Sequence, residues 1–510
     1  MTGDYPASRT SETMTDTQST RTIGGLSDTA SESPARTPAW LTRLVWALWV
    51  ACLGVLVARA ATGTTWDVAG VLTVDGLTAV MWVAVTFFSG IVHSYSRRYM
   101  AGSERIETFF ARTFAFTLTV MVLVAAANTA LFVLAWLAMG LLMADLIGYA
   151  RDWPQARAAA SLARRYFLAS SALVAVAAAA LWATTGATTF DGIAATADTL
   201  PGTVWLLVAA ALLLAAMVQS ALVPFHTWLL SSMTAPTPAS ALMHAGFVNA
   251  GGILLVRFAP VVTADTRFML IVVAVGAASA LVGKLLRTVQ SDVKGRLGCS
   301  TTGQMSYMIM QAGLGFFAAA VTHLILHGFY KAYMFLSNGS RVAHTTPGHG
   351  HGETPSLTAV GALATAATAV AGGAIFAAIT GEGLRADSGL LLVGLVVLTT
   401  LHAARQALGR TGVAPAVRYG AVALVFLPAI AVYGLVYTAI EGVMAGSVVT
   451  AAPTALGPVH LAVAAAFAIV YLAIETGAYR RSDRLYVALR NATQPAPETV
   501  TTNTEEYNEY

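Results

Sequence analysis

Thr203-Val-Trp-Leu-Leu-Val-Ala-Ala-Ala-Leu-Leu-Leu-Ala-Ala-Met-Val-Gln-Ser-Ala-Leu-Val223 contains no Asp, Glu, Lys or Arg and runs directly into Pro224-Phe-His226-Thr-Trp228. A helix needs about 20 apolar residues to cross the hydrocarbon core of a bilayer, and this stretch has that length. Lipid offers no partner to a backbone amide, so such a run is read as a helix whose hydrogen bonds are all internal. Pro224 has no amide hydrogen and interrupts the helical ladder, leaving carbonyls free to line a wet cavity.

Working outward, runs of the same kind recur almost without pause. Fourteen spans are predicted, near 41–59, 71–96, 109–126, 128–149, 166–184, 203–223, 238–257, 267–287, 298–314, 317–338, 357–379, 389–409, 418–440 and 458–478. Of the 510 residues, 56% are hydrophobic and only 11% charged, against about 25% charged in a soluble domain. The mean hydropathy is +0.68. This composition excludes a soluble enzyme, a disordered chain and a nucleic-acid-binding protein. The predicted fold is all-α: a polytopic membrane protein of about 14 transmembrane helices, some broken by proline. Residues 41–480 form this domain. Residues 1–40, rich in Ser, Thr, Asp and Pro, are expected to be a disordered cytoplasmic tail rather than a cleavable signal peptide. Residues 481–510 are expected to be cytoplasmic and disordered after about 491. Cys52 and Cys299 lie in or beside apolar runs, in no pattern that suggests a disulfide or a zinc site.

The cations predict the orientation. Arg97, Arg98, Arg105 and Arg112, then Arg151, Arg157, Arg164 and Arg165, then Arg287, Lys294 and Arg296 fall between spans of one parity, as do Arg405, Arg410, Arg480, Arg481 and Arg484. The other parity holds Arg59, Arg257, Arg267 and Arg385. By the positive-inside rule both termini face the cytoplasm of a cell (inner or plasma) membrane. The net charge of +4 therefore reports topology and does not imply a nucleic acid partner.

Lysine is the informative cation. There are three, Lys284, Lys294 and Lys331, among 29 basic residues. Arginine cannot release its proton in a protein, whereas a buried lysine can. Lys284 and Lys331 lie within spans, where an ionisable group suggests an ion or proton path. Lys284 also lies close enough to Arg287 to snorkel to the cytoplasmic face. Lys294 falls at a helix–water boundary and reads as structural. In His323-Leu-Ile-Leu-His327-Gly-Phe-Tyr-Lys331 three ionisable groups recur every fourth residue, on one helix face. They cover about 12 Å of depth at 1.5 Å per residue. Imidazoles titrate near neutral pH, so the stripe suits a water-bridged proton relay. His226 and His244 flank the proline-rich break and are read either as further relay groups or as fixed hydrogen bonds between helices. Asp145 is read either as a point where protons enter or as the partner of an interfacial arginine. Asp75 reads as a helix cap. His344, His349 and His351 lie in a Gly-rich loop without acidic or cysteine ligands to complete a metal site. His93, His402 and His460 carry little information.

Two stretches carry a family resemblance. Pro224-Phe-His-Thr-Trp-Leu leads to Ala235-Pro-Thr-Pro-Ala-Ser-Ala-Leu-Met-His-Ala, and Gln290-Ser-Asp-Val-Lys-Gly-Arg-Leu-Gly-Cys-Ser-Thr-Thr-Gly-Gln-Met runs on to His323 and Lys331. Over roughly residues 71–340 the chain resembles the antiporter-like proton-translocating subunits of respiratory complex I and of Mrp cation/proton antiporters. Within that superfamily, His244-Ala-Gly-Phe-Val-Asn-Ala-Gly-Gly, Gln304-Met-Ser-Tyr-Met-Ile-Met-Gln-Ala-Gly-Leu-Gly and Leu485-Tyr-Val-Ala-Leu-Arg-Asn are closer to DabB, the membrane subunits of DAB inorganic carbon transporters. That resemblance implies a DabA-like zinc-binding partner similar to a β-carbonic anhydrase. It also implies that a flow of H+ or Na+ through this chain drives CO2 capture as bicarbonate. No cofactor and no catalysis are expected in the chain itself. The chain departs from the complex I pattern. Leu137 follows Trp136 where that family has Glu, Gln219 stands where it has Lys, and the later-span Lys has no counterpart, with Glu382 nearby. The matching polar axis is His226, His244, His323, His327 and Lys331. The competing expectations are a proton-translocating subunit of a respiratory or Mrp-type complex and a non-conducting membrane scaffold for a soluble enzyme.

Overall fold

The computed structural model describes residues 36–338, 359–408, 415–447 and 454–500. His344, His349 and His351, the chain before Arg36 and the chain after Val500 lie outside the described residues. In chain order the helices are α1 (Arg36–Thr62), α2 (Gly76–Tyr99), α3 (Ile106–Ala125), α4 (Thr129–Ile147), α5 (Pro154–Thr185), α6 (Phe190–Thr196), α7 (Gly202–Gln219), α8 (Thr227–Ser231), α9 (Thr237–Ala245) and α10 (Ala250–Arg257). They continue with α11 (Ala259–Val262), α12 (Thr266–Val289), α13 (Val293–Gly313), α14 (Phe317–Leu336), α15 (Ala359–Thr380), α16 (Ser388–Leu408), α17 (Pro415–Met444), α18 (Pro458–Glu475) and α19 (Asp483–Ala492). A short antiparallel hairpin pairs Trp66–Val68 with Leu72–Val74.

Side-chain caps start several of these helices, because the first turn leaves amides unpaired. Asp75 accepts from Thr78 N at 2.8 Å, Asn128 from Ala130 N, Asp265 from Arg267 N and Asp292 from Gly295 N. Asp75 is thus the cap expected of it. The chain then breaks twice. α7 stops at Gln219, and Pro224 lies in the irregular stretch before α8. The second break, between α9 and α10, falls at Gly246 and the 3-10 turn Phe247–Asn249, with no proline in it.

Among the described residues, twelve helices are long and apolar enough to cross a membrane, counting α9–α10 as one, Thr237–Arg257. The expected count of fourteen is not confirmed. α13 and α14 are 21 and 20 residues long but do not reach that apolarity, since α13 begins with Lys294 and Arg296 and α14 carries the stripe. A helix surrounded by protein does not need a lipid-like surface. The broken helix Thr237–Arg257 is the most enclosed, with 94% of its span buried, whereas Pro458–Glu475 has 11% and Arg36–Thr62 has 17%. The interrupted backbone therefore sits at the centre of the bundle, where its free polar groups can be satisfied by protein or water.

The C-terminal segment differs from expectation. α19 starts at Asp483, and the chain stays ordered to Val500. Arg490 donates to Val289 O at 2.8 Å, Gln290 to Thr493 O at 3.2 Å, and Ala496 N to Ser231 Oγ at 2.9 Å. Polar composition alone suggested disorder, but these side-chain-to-main-chain bonds to the α8 and α12 ends hold the segment.

α12 and α13 pack backbone to backbone through glycines. A Cβ on Gly283 would lie 2.5 Å from Gly303 N, and one on Gly276 would lie 2.7 Å from Met310 N. Small residues permit this close approach, the usual basis of helix pairing in lipid. Gly283→Leu is expected to force the pair apart and cost about 1–3 kcal/mol, read as a lower thermal unfolding midpoint in detergent. Gly54→Ala, where a Cβ meets nothing within 4 Å, should not lower that midpoint.

Candidate ion pathway

α14 places His323, His327 and Lys331 on one face, and that face points into the protein. Lys331 is 0% exposed and His327 6%; His323 is half-buried. The His323 and His327 rings stack with centroids 5.9 Å apart, and Tyr307 of α13 lies against His323 at 5.4 Å. Lys331 Nζ donates to Leu297 O of α13 at 2.7 Å. Among the described residues no carboxylate lies within salt-bridge distance of it. The same Leu297 carbonyl accepts from Thr301 Oγ1 at 2.9 Å, and Thr301 Oγ1 meets His244 Nδ1 at 2.9 Å. A hydroxyl has one proton to give. With that proton on Leu297 O, His244 Nδ1 must be the donor, and its Nε2 carries the lone pair. The structure therefore joins His244 of the broken helix to Lys331 of α14 through one hydroxyl and one carbonyl. Phe335 stacks on the His244 ring at 4.5 Å and holds its plane.

Nε2 of His244, His323 and His327 is buried in each case without a hydrogen-bond partner. Buried polar atoms are nearly always bonded, so each of these orphaned nitrogens has room in its bonding for a water. A 370 Å³ cavity reaches His323 and His327 and is lined also by Arg287, Ser300, Gln304 and Tyr433.

The other expected groups lie apart from this line. Lys284 of α12 lines a neighbouring 220 Å³ cavity with Arg287, Ser300, Gln304, Tyr307 and His402. His226 is buried, but its Nε2 meets Ala492 O at 2.9 Å, and its Nδ1 is unpartnered. It thus joins the C-terminal segment to the start of α8. Lys294 donates to Met233 O and Ala235 O, the structural role expected of it. Asp145 is bound by Arg164 at 2.8 Å and Arg112 at 3.6 Å, so of its two readings the structure supplies the arginine pair. Gln219, at the position of the family's lysine, is buried with neither amide atom partnered.

Sequence reasoning missed two features. One is the buried pair of Arg257 with Asp75. The other is Glu475, bonded to His402 Nδ1 at 2.8 Å and ion-paired with Arg405 Nε at 3.2 Å. Glu475 is the sole acid of α18, and a lone carboxylate in a span was the available signal. Glu382, between α15 and α16, accepts from Tyr437 at 3.1 Å. Burial, aided by Glu441 and Asp387, pushes its carboxyl up.

Comparison with known proteins gives the family. The model for NADH:quinone oxidoreductase/Mrp antiporter transmembrane segments matches residues 126–403, more than half of the chain. The chain belongs to this antiporter family. The model for the complex I chain 5 N-terminus matches residues 62–110. The chain is 42% identical over 287 residues to a probable inorganic carbon transporter subunit DabB1 of Halothiobacillus neapolitanus, covering 55% of this chain and 51% of that one. It is 36% identical over 272 residues to the probable DabB of Bacillus subtilis, covering 52% and 53%. It is 34% identical over 275 residues to NADH-quinone oxidoreductase subunit L of Mycobacterium tuberculosis, covering 53% and 43%. The chain thus spans about half the length of the curated relatives it matches. The Mrp complex from Dietzia shares the fold, with a TM-score of 0.54 and 21% identity over 92% of this chain and 51% of that one.

Proposed function

We propose that this antiporter-family chain conducts protons through His244, His323, His327 and Lys331, and that the flow energises inorganic carbon accumulation by a partner subunit. The observation that carries the reading is Lys331. It is an amine wholly enclosed in a membrane helix bundle, bound to a main-chain carbonyl and preceded along its helix by two imidazoles with orphaned nitrogens. Burying a charge without a counter-ion is costly, so an amine in this setting suits a group that takes and returns a proton. A stripe made of nitrogen bases also favours H+ over Na+, which is held by oxygen ligands.

The likeness to DabB subunits supports a zinc-binding, DabA-like partner on which CO2 becomes bicarbonate, with the chain in the cell membrane and its arginine-rich ends in the cytoplasm. The likeness to subunit L supports the second reading, a proton-translocating part of a respiratory or Mrp-type complex. Gln219 and Leu137, where complex I has Lys and Glu, weigh against it. The test is to purify the chain with its native partners and reconstitute the complex in vesicles. A zinc-bearing partner should be present, and uptake of labelled inorganic carbon should fall about tenfold, 1.4 kcal/mol of lost drive, when a protonophore dissipates the gradient. Cation/proton exchange without carbon uptake would select the second reading. Uptake indifferent to both the gradient and Lys331→Met would leave only a scaffold.

A further inference from the structure

Lys284 and His402 line one cavity between α12, α13, α16 and α18, and Glu475 of α18 is bonded to His402. The geometry around them is built. Arg405 holds Glu475 Oε2, leaving Oε1 for His402 Nδ1 at 2.8 Å. Gln406 Nε2 lies 2.7 Å from His402 Nε2. An amide nitrogen can only donate, so that ring nitrogen is the acceptor and Nδ1 carries the proton. The charged and titratable groups lining the cavity are Lys284 and Arg287 from α12, Tyr307 from α13, His402 from α16 and Tyr471 from α18, and Glu475, paired with Arg405, reaches it through His402. Arg287, Ser300 and Gln304 line both this cavity and the one that reaches His323 and His327. The two polar clusters therefore share a wall.

Lys284, Arg287, His402, Arg405 and Glu475 all lie in the last two turns of α12, α16 and α18. These are the arginine-rich ends of the bundle, where Asp145, read as a proton entry point or as an arginine's partner, is engaged by two arginines.

We propose that Glu475 and His402 are the groups through which protons from the arginine-rich side reach Lys284 and then the His327–His323 stripe. Each member takes one proton and returns one. The carboxylate–imidazole pair accepts a proton from the aqueous phase, Lys284 passes its own proton toward the stripe, cavity water carries the pair's proton to the vacated amine, and the pair returns to its starting charge. Arg405 is a positioning residue that fixes the carboxylate. This assignment rests on the reading of the stripe as a proton path.

The test uses the full-length protein with its native partners in vesicles, with voltage-driven proton uptake followed by a trapped pH dye. Glu475→Gln and His402→Gln should each slow uptake about 100-fold, the lower end of the range for a positioned proton-transfer group. Glu475→Asp should keep most of the rate. If Lys331→Met stops uptake while Glu475→Gln and His402→Gln run at the wild-type rate, this route is wrong and the stripe stands. If Lys331→Met also runs at the wild-type rate, both fall. A second measurement does not depend on flux. Cys52 and Cys299 are buried, so the parent protein is a blank for a membrane-impermeant thiol reagent. Ser300→Cys should label from the arginine-rich side. Labelling only from the opposite side, or none, would overturn the proposal.

Discussion

Replacing Lys331 by methionine is expected to cut proton flux about 100-fold, within the range of a positioned proton-transfer group, while changing stability by less than about 1 kcal/mol. Methionine keeps the length and volume of the buried side chain and removes only its proton-binding end. Losing a buried amine seldom costs stability when no charged partner is left behind. Here the partner is Leu297 O, which still accepts from Thr301 Oγ1. Lys331→Arg separates two roles. It can keep a hydrogen bond to Leu297 O and a positive charge, but it cannot release a proton. Flux should therefore be lost in both variants, measured in vesicles alongside the thermal midpoint. Wild-type flux with Lys331→Arg would show that the site acts as a fixed charge, and the relay reading would be withdrawn.

Arg257→Met is expected to destabilise the protein by about 3–5 kcal/mol, the scale for leaving one buried charge without its partner. Arg257 NH1 and NH2 grip Asp75 at 2.6 and 3.2 Å, and NH2 also donates to Thr78 Oγ1 at 2.7 Å and to Val124 O. The two side chains are 9% and 7% exposed. One guanidinium thus ties the end of α10 to the start of α2 and the end of α3. Asp75→Asn together with Arg257→Met should recover most of the loss. The amide oxygen can still cap Thr78 N, and no buried charge remains. Thermal unfolding of the two single variants and the double variant gives the coupling energy. Additive losses would mean that the pair is hydrated by the 430 Å³ cavity it borders.

The polar stripe was legible because its signal is local. His323, His327 and Lys331 share a face at helical spacing whatever surrounds the helix, and the scarcity of lysine drew attention to them. The pairing of Glu475 with His402 was not legible. They lie 73 residues apart on separate helices, and each alone looks like an ordinary group at a span end. The same is true of Arg257 and Asp75, which lie 182 residues apart. The fate of Asp145 shows the converse: its residue type suggested a proton group, and its neighbours made it half of an ion pair. The tail after Asn491 looked disordered because its composition is polar, yet its order comes from hydrogen bonds to α8 and α12 that composition does not encode.

Sequence alone determined the all-helical membrane architecture, since hydrocarbon leaves a run of about 20 apolar residues few other backbone solutions. It also determined which titratable groups share a face of α14. Tertiary structure decided which of these groups meet partners, which keep an orphaned nitrogen, and which cavities connect them. Burial and proton exchange are properties of an environment assembled from helices distant in the chain, so a reading of one segment at a time cannot supply them.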